Sequence, residues 1–549
     1  MATIETRQPL TATPPASTAL TPAAIDRRAW RFAALVIVAA LLLSSAPYVF
    51  AAISAPPDKH FMGLVINVPD HVQYFSWMRD LSTANLAADR LTAEPNEPAF
   101  FNLLWWALGR FGQLTGLDYA GLYMMLRLVA IVVCLVCCYG FLRIAFEEEK
   151  RRRVSLLIVT FGGGLGIVWI VVKYAMRLPE APFPFDIYTT EPNTFFNLMG
   201  FPHFALALGL LVATFGLVLT AIRKQQHRYS IAAGIIALIL GLQHAYDLVT
   251  IYAVLGLFGA LLWLRDRRFP RFLFMSGLIV FGLSMPPAAY SLLLVKANPV
   301  WGEVLEQFDL AGAFTPGPLN LPILLGIPFV LALLAFRPRM LRSQSDVELF
   351  VAAWFLSHFM LVYLPVDFQI HLLLGWQIPI AILATRFLFD RVAWAHKRRL
   401  MAAGLVVLML VTNVYLLAWR FIDLRRYETP YFLPQSDIAA LSWLAENAAS
   451  SDVVLADLDF GQYVPTWSDA RSFLAHWTGT LRYLDKQKMV DVVLGEQASD
   501  AERMAILMDS GVTYVVSRAG GGDELADLPA LTPAFNNGQT VIYRVQSVP

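Results

Sequence analysis

Charge is the first thing this chain has little of. Only 15% of its 549 residues are Asp, Glu, Lys or Arg, against 57% hydrophobic, whereas a soluble globular chain carries roughly 25% charged residues. A water-solvated surface around the whole chain is excluded, and lipid must solvate much of it. Cysteine is scarcer still. Cys134, Cys137 and Cys138 lie in one apolar run, unsuited to a disulfide framework and one short of a four-ligand zinc site; they read as small, polarisable packing residues. The net charge of +1 gathers its cations in short clusters, which excludes a generally basic face and with it nucleic acid as a partner. No phosphate loop is present either. AGGGDE at 519–524 is followed by no Lys-Ser/Thr and reads as a flexible turn, and FGGGLG at 161–166 lies in an apolar run where glycines permit close helix packing.

What the chain has in quantity is apolar runs of spanning length. Residues 1–29, rich in Thr, Pro and Ala, read as a disordered cytoplasmic tail. The first apolar stretch follows Arg27, Arg28 and Arg31; it continues through SSAPYVFAAI to the roughly 20 residues that cross a bilayer, so it reads as an uncleaved anchor. Ten more runs follow, near 119–146, 154–175, 201–222, 230–246, 247–264, 271–296, 321–336, 347–366, 370–389 and 400–420. The expectation is an α-helical polytopic membrane protein with about eleven transmembrane helices, a membrane domain over 30–421 and an outer loop over 54–118. Basic clusters at 147–153, 223–228, 265–271, 337–342 and 391–399 then all fall on one side. That side is cytoplasmic by the retention of Lys and Arg. The N-terminus is expected inside, in the cytoplasmic (inner) membrane, and everything after 421 outside.

From 427 to 549 the pattern becomes that of a small soluble α/β domain, extracytoplasmic by the same parity. SDIAALSWLAENA reads as a helix with Ser436 as N-cap, VVLAD and TYVVSR as buried strands, and SDAERMAILMDSG as a helix closed by Gly511. AHWTGT, read as a loop, is the segment able to bring His476 over a cavity below.

Polar residues collect at the outer ends of the spans. Asp70, Tyr74 and Trp77 or Met78 recur at helical spacing in NVPDHVQYFSWMRDL, and EPNEPAFFNLLWWALGRF reads as an aromatic stretch lying flat along the interface. Glu191, Asn193, His203, His244, Asp247, Asp367 and His371 map to the same side. His244 and Asp247 share one helical face and either bind a ligand or close a hairpin between themselves. Arg127 lies about two turns into a span, where a cation needs an acid or a ligand phosphate.

These residues resemble the GT-C superfamily of membrane glycosyltransferases, particularly the branch similar to protein O-mannosyltransferases and lipid A aminoarabinose transferases. The carriers are PDHVQYFSWMRDL, EPNEPAFFNLLWWALGRF with the following YMMLR, LPVDFQIHLLLGWQIPIAIL, and a tail containing ALSWLAENAASSDVVLAD and AHWTGT. The resemblance implies a GT-C-like fold and transfer of a sugar, hexosyl or pentosyl, from a polyprenyl-phosphate carrier to a lipid, glycan or protein acceptor. It makes Asp70 the catalytic base, with His71, Tyr74, Arg127, Glu191, His203, His244, Asp247 and His371 as substrate-binding candidates. No cofactor is certain; a divalent cation stays open, because the family often sets a second acid beside such an aspartate and here the next residue is His71. A flippase or transporter of lipid-linked saccharides and a non-catalytic envelope assembly protein are the alternatives; no internal repeat, common in transporters, is evident.

Overall fold

The structure is a computed structural model that describes residues 27–307, 314–391, 395–495, 497–518 and 523–546. The N-terminal tail through residue 26 and most of the AGGGDE segment lie outside the described residues.

Long apolar composition produces long helices, even where Pro47, Pro286, Pro287 and Pro328 lie inside them, and each of the eleven apolar runs is helical. They are α1 (Arg27–Ser54), α4 (Tyr119–Ala145), the pair α5 (Glu149–Phe161) and α6 (Gly166–Ala175), α8 (Pro202–Lys224), α9 (His227–Gln243), α10 (Asp247–Asp266), α11 (Arg271–Ala297), α13 (Leu321–Ala335), α14 (Asp346–Leu361), α15 (Gln377–Arg391) and α16 (Ala395–Leu424). Among the described residues eight spans are long and apolar enough to cross a membrane, or nine if the bent pair counts as one. The count of about eleven is therefore reached only with α9 and α14, whose 17 and 16 residues extend about 24–26 Å at 1.5 Å per residue and fall short of a core of about 30 Å. FGGGLG does not sit inside a continuous helix, as expected, but breaks α5 from α6 with a 55° bend. A side chain at Gly164 would collide with Asp186 and with the Ile323 and Leu324 carbonyls, so the glycines serve a close backbone approach at the break.

The helices run between two chemically different ends. At one end Glu147 and Arg151 after α4, Arg337 and Arg339 after α13, and Arg386 and Arg391 of α15 line a cleft of about 530 Å³, and Arg265 of α10 joins by a 2.8 Å pair with Asp346. Four of the five basic clusters are thus gathered. The opposite ends of α4, α8 and α15 carry Tyr123, His203 and Gln377.

That second end is roofed. The first long loop forms α2 (Val68–Thr83) and α3 (Leu103–Thr115), and two short helices, α7 (Thr194–Gly200) and α12 (Pro299–Glu306), complete the rim. Helix α3 starts at Asn102, whose side chain accepts from the Leu104 and Trp105 N–H groups, and leaves Leu114 85% exposed as an apolar residue lying along the interface does.

Above the roof sits the C-terminal domain. It contains α17 (Gln435–Asn447), α18 (Leu458–Gly461), α19 (Val464–Trp467), α20 (Tyr483–Leu494), α21 (Asp500–Asp509) and α22 (Asp523–Ala526) around a five-stranded sheet. With β1 (Lys59–Phe61) in the first loop and β2 (Phe432–Pro434) after α16, the sheet strands are β3 (Val453–Leu455), β4 (Arg471–Ser472), β5 (Tyr514–Arg518), β6 (Leu531–Asn536) and β7 (Thr540–Val545), in the order β4-β3-β5-β7-β6. β3 pairs in parallel with β4 and β5, the α/β arrangement read from sequence. Ser436 is not the N-cap of α17: Pro434 stands there and Ser436 lies inside the first turn. Pro434 presets an extended entry. Ser499 caps α21 in a full capping box and Gly511 follows it at φ 66°.

Two features fix this domain over the bundle. β1 pairs antiparallel with β2, His60 opposite Leu433. One apolar cluster joins Val72, Phe75 and Met78 of α2 to Leu441, Phe460, Tyr463 and Val516 of the domain. Roof and domain share a single core.

Candidate functional site

Helix α2 begins at Asn67, a left-handed residue with φ 40°, and carries Asp70 in its first turn, where the helix dipole favours a carboxylate. Asn67 Nδ2 donates to Asp70 Oδ2, and His476 of the C-terminal domain bonds Asp70 Oδ1 from Nε2 at 2.8 Å. The Asp70 side chain remains 26% exposed. Each oxygen accepts one bond and retains a second lone pair.

One turn along the same face, Tyr74 stacks on Trp105 of α3 with ring centres 4.8 Å apart at 13°. Its hydroxyl lies 3.5 Å from His203 Nε2. Burial pushes the Tyr74 phenol well above its usual range, so it stays protonated and is the donor in that long contact. His203, first turn of α8, packs on Phe204 and stands 6.2 Å from His244 between ring centres. His244 Nδ1 bonds Asp247 Oδ2 at 2.9 Å, and the two close the turn between α9 and α10. His371 Nδ1 bonds Glu191 Oε1 at 2.5 Å, its ring stacked on Tyr246 at 5.2 Å, and it stands 6.2 Å from His244. Tyr74, His203, His244, Asp247, Glu191 and His371 therefore meet in one continuous chain of contacts drawn from α2, the approach to α7, α8, the α9–α10 turn and the segment before α15. His203 Nδ1 and Asp247 Oδ1 are buried with no hydrogen-bond partner among the described residues. Buried polar atoms are nearly always paired, and these two leave the cluster with unmet capacity for a polar ligand.

Two candidates are placed elsewhere. His71 is buried with Nδ1 2.6 Å from the Asn67 carbonyl and Nε2 2.7 Å from the Gly200 carbonyl; burial draws its pKa down, and neither ring nitrogen faces an open site. It ties α2 to the end of α7. Arg127 is 0% exposed. It bonds the Ser44 and Ser45 hydroxyls at 2.9 and 2.7 Å and lies 4.5 Å over the Tyr48 ring, and no ion pair of it is found among the described residues. Among the described residues the acid expected for it is not found, and hydroxyls and a π-face solvate the cation. Asn193 caps α7 and bonds Asn413 at 2.7 Å. Asp367 is exposed, outside the cluster's hydrogen bonds.

Trp105, Tyr246 and Asn67 were not read from the sequence as site residues. Trp105 stands in a run of aromatics that reads as interfacial throughout, and Asn67 carries a signal in the NVPD start of α2, where Asn tolerates left-handed backbone.

No family model matches the sequence, and no curated protein matches it. Solved structures do. The oligosaccharyltransferase AglB from Archaeoglobus fulgidus, in complex with an inhibitory peptide and a dolichol-phosphate, aligns at TM-score 0.58 and 12% identity over 90% of this chain and 70% of its own. ArnT from Cupriavidus metallidurans bound to undecaprenyl phosphate aligns at TM-score 0.54 and 13% identity over 93% and 98%. Both are GT-C membrane glycosyltransferases, and the chain is a multi-pass membrane protein with that fold.

Proposed function

We propose that this protein transfers a sugar from a polyprenyl-phosphate carrier to an acceptor at the outer face of the cytoplasmic membrane, with Asp70 as general base. The observation that carries the reading is Asp70 itself: a carboxylate oriented by Asn67 and His476, partly open, at the head of a cluster of imidazoles and stacked aromatics, in a fold whose solved neighbours hold dolichol-phosphate and undecaprenyl phosphate.

The chemistry follows from the groups present. Asp70 accepts the proton of the acceptor hydroxyl as that oxygen attacks the anomeric carbon; the carbon–phosphate oxygen bond breaks on the opposite face, and the product is inverted. The departing phosphate needs donors. His371 and His203 supply them, while Tyr74 and Trp105 offer a stacking face and His244 with Asp247 hydrogen bonds to the sugar. Among the described residues no three His, Cys, Asp or Glu side chains are grouped to hold a metal ion, and none of these steps uses one.

Asp70→Asn keeps size and removes the proton acceptor. In reconstituted membranes, transfer from undecaprenyl-phosphate-linked sugars is expected to fall roughly 10²- to 10⁴-fold, with carrier binding little changed. A folded variant at full turnover would move the reading to a carrier of lipid-linked saccharides or to an assembly protein. Orientation is tested separately. Single cysteines at the exposed positions 226, 339 and 500 are expected to label from the cytoplasm, the cytoplasm and the outside; cytoplasmic labelling of 500 overturns the outer-face placement.

A further inference from the structure

We infer that the C-terminal domain completes the transfer site, and that His476 is the residue through which it acts: a neutral imidazole locked as an Nε2–H donor that fixes the Asp70 carboxylate. The inference rests on the proposed role of Asp70 and adds a required partner for it.

The tautomer is set by the loop around His476. Its Nδ1 receives the backbone N–H of Thr478 at 3.1 Å and of Gly479 at 3.2 Å, with the Thr478 hydroxyl at 3.0 Å. An atom that accepts two N–H bonds holds a lone pair, so in the neutral ring the proton sits on Nε2. Nε2 points at Asp70 Oδ1, 2.8 Å away. The side chain is 3% exposed, and the loop is held on both flanks. Thr480 Oγ1 accepts from the Ala475 and His476 N–H groups and donates to the Leu91 carbonyl at 2.6 Å. Gln307, just after α12, donates to the Thr478 and Thr480 carbonyls at 3.1 and 3.2 Å.

This geometry separates positioning from proton transfer. His476 cannot receive the acceptor's proton: Nε2 already bears one, and Nδ1 faces donors. The acceptor's proton ends on Asp70, and His476 keeps its single Nε2 proton and stays neutral throughout. What the bond supplies is direction. With Asn67 on Oδ2 and His476 on Oδ1, the carboxylate plane is held at both oxygens, and each keeps one lone pair for an acceptor hydroxyl. A reacting group misplaced by about 1 Å loses on the order of 10²-fold in rate.

The test uses full-length protein in nanodiscs with undecaprenyl-phosphate-linked mannose, glucose and 4-amino-arabinose as probes and native membranes as the acceptor source. His476→Ala is expected to lower kcat about 10- to 100-fold with the donor KM unchanged, and His476→Gln, whose amide donates from nearly the same place, to recover most of it. Adding His476→Ala to Asp70→Asn is expected to cost nothing further. Hydrogen exchange over residues 453–455 and 514–518 reports whether the domain remains folded and docked. His476→Ala at full turnover overturns the inference, as does a loss that Gln does not rescue or that accompanies lost protection of the domain. Asp70→Asn at full turnover instead removes the base reading beneath it. Independently of turnover, the ¹⁵N signal that disappears in His476→Gln is expected to show an unprotonated Nδ1 and to shift in Asp70→Asn; a protonated Nδ1 overturns the locked donor.

Discussion

Arg127 shows what a single residue contributes when its surroundings are sealed. The guanidinium is held by two serines of α1 and the Tyr48 ring, so it joins α1 to α4. Arg127→Ala leaves both hydroxyls without their donor and opens a void, which is expected to cost about 2–4 kcal/mol of folded stability. Carrier affinity of the protein that still folds should not change. Thermal unfolding in detergent and binding of undecaprenyl phosphate to the same samples check both halves; weakened binding with unchanged stability would return Arg127 to the phosphate site. Asp70, Tyr74, His203, His244, Asp247, Glu191 and His371 were legible as polar residues at one end of the spans, because a polar side chain beside lipid advertises itself. Their partners were not. Whether an imidazole meets a carboxylate or a pair of backbone carbonyls, as His71 does, depends on where α7 ends, and no local pattern records that.

At the scale of elements, the site depends on how closely α2 and α3 approach. A Cβ at Gly109 of α3 would collide with the Met78 carbonyl and press on the Ser82 backbone of α2. Gly109→Ala therefore has to push the helices apart, and with them Trp105 from Tyr74 and Asp70 from His476. Overpacking of this kind costs about 1–3 kcal/mol; a lowered thermal midpoint together with reduced activity in the proposed transfer is the expected outcome, and turnover at the wild-type rate would show that the α2–α3 contact does not position Asp70 for it. Element type was the most legible level of the chain. Alternation of apolar runs with basic clusters located the long apolar helices, and Gly511 marked the end of α21. The break at FGGGLG was missed because hydropathy is blind to backbone geometry: the residues there are apolar on either side and only a Gly-permitted contact with the Ile323 and Leu324 carbonyls distinguishes a corner from a continuous span.

For the whole molecule, the junction between loop and domain is sensitive to pH. Lys486, buried in the domain, reaches Glu94 of the first loop at 2.6 Å. Burial alone would raise the Glu94 carboxyl, but bonds from Lys486, Thr92 and Arg482 outweigh it and hold it at about 2, so its contribution persists at all pH above its ordinary range and is lost only as pH falls toward 2. Asp89 behaves oppositely. Burial raises it to about 7 against the Leu91 N–H and the Lys486 charge, and its Oδ2 is buried with no partner among the described residues. Between its ordinary 3.8 and about 7 the folded protein binds a proton that the unfolded chain has released, so stability falls as pH rises through this window and levels off above it. The thermal midpoint of the full chain is expected to be higher at pH 5.5 than at pH 7.5, and Asp89→Asn to flatten that slope; a wild-type midpoint that does not change would remove the junction as its source. None of this was visible in the sequence, where Asp89 is one acid among the polar residues of a long loop.

The clasp of β1 with β2 and the bond from His476 to Asp70 also impose a schedule on synthesis. Asp70 leaves the ribosome 406 residues before His476, an interval of roughly 20–80 s at about 5–20 residues per second. For most of it the first loop lacks its partner strand β2, which ends at Pro434, and throughout it the loop lacks the His476 segment. A chain interrupted between the end of α16 and residue 476 thus holds the aspartate and its membrane scaffold without the side chain that meets it, and synthesis through the domain is itself the condition for the contact.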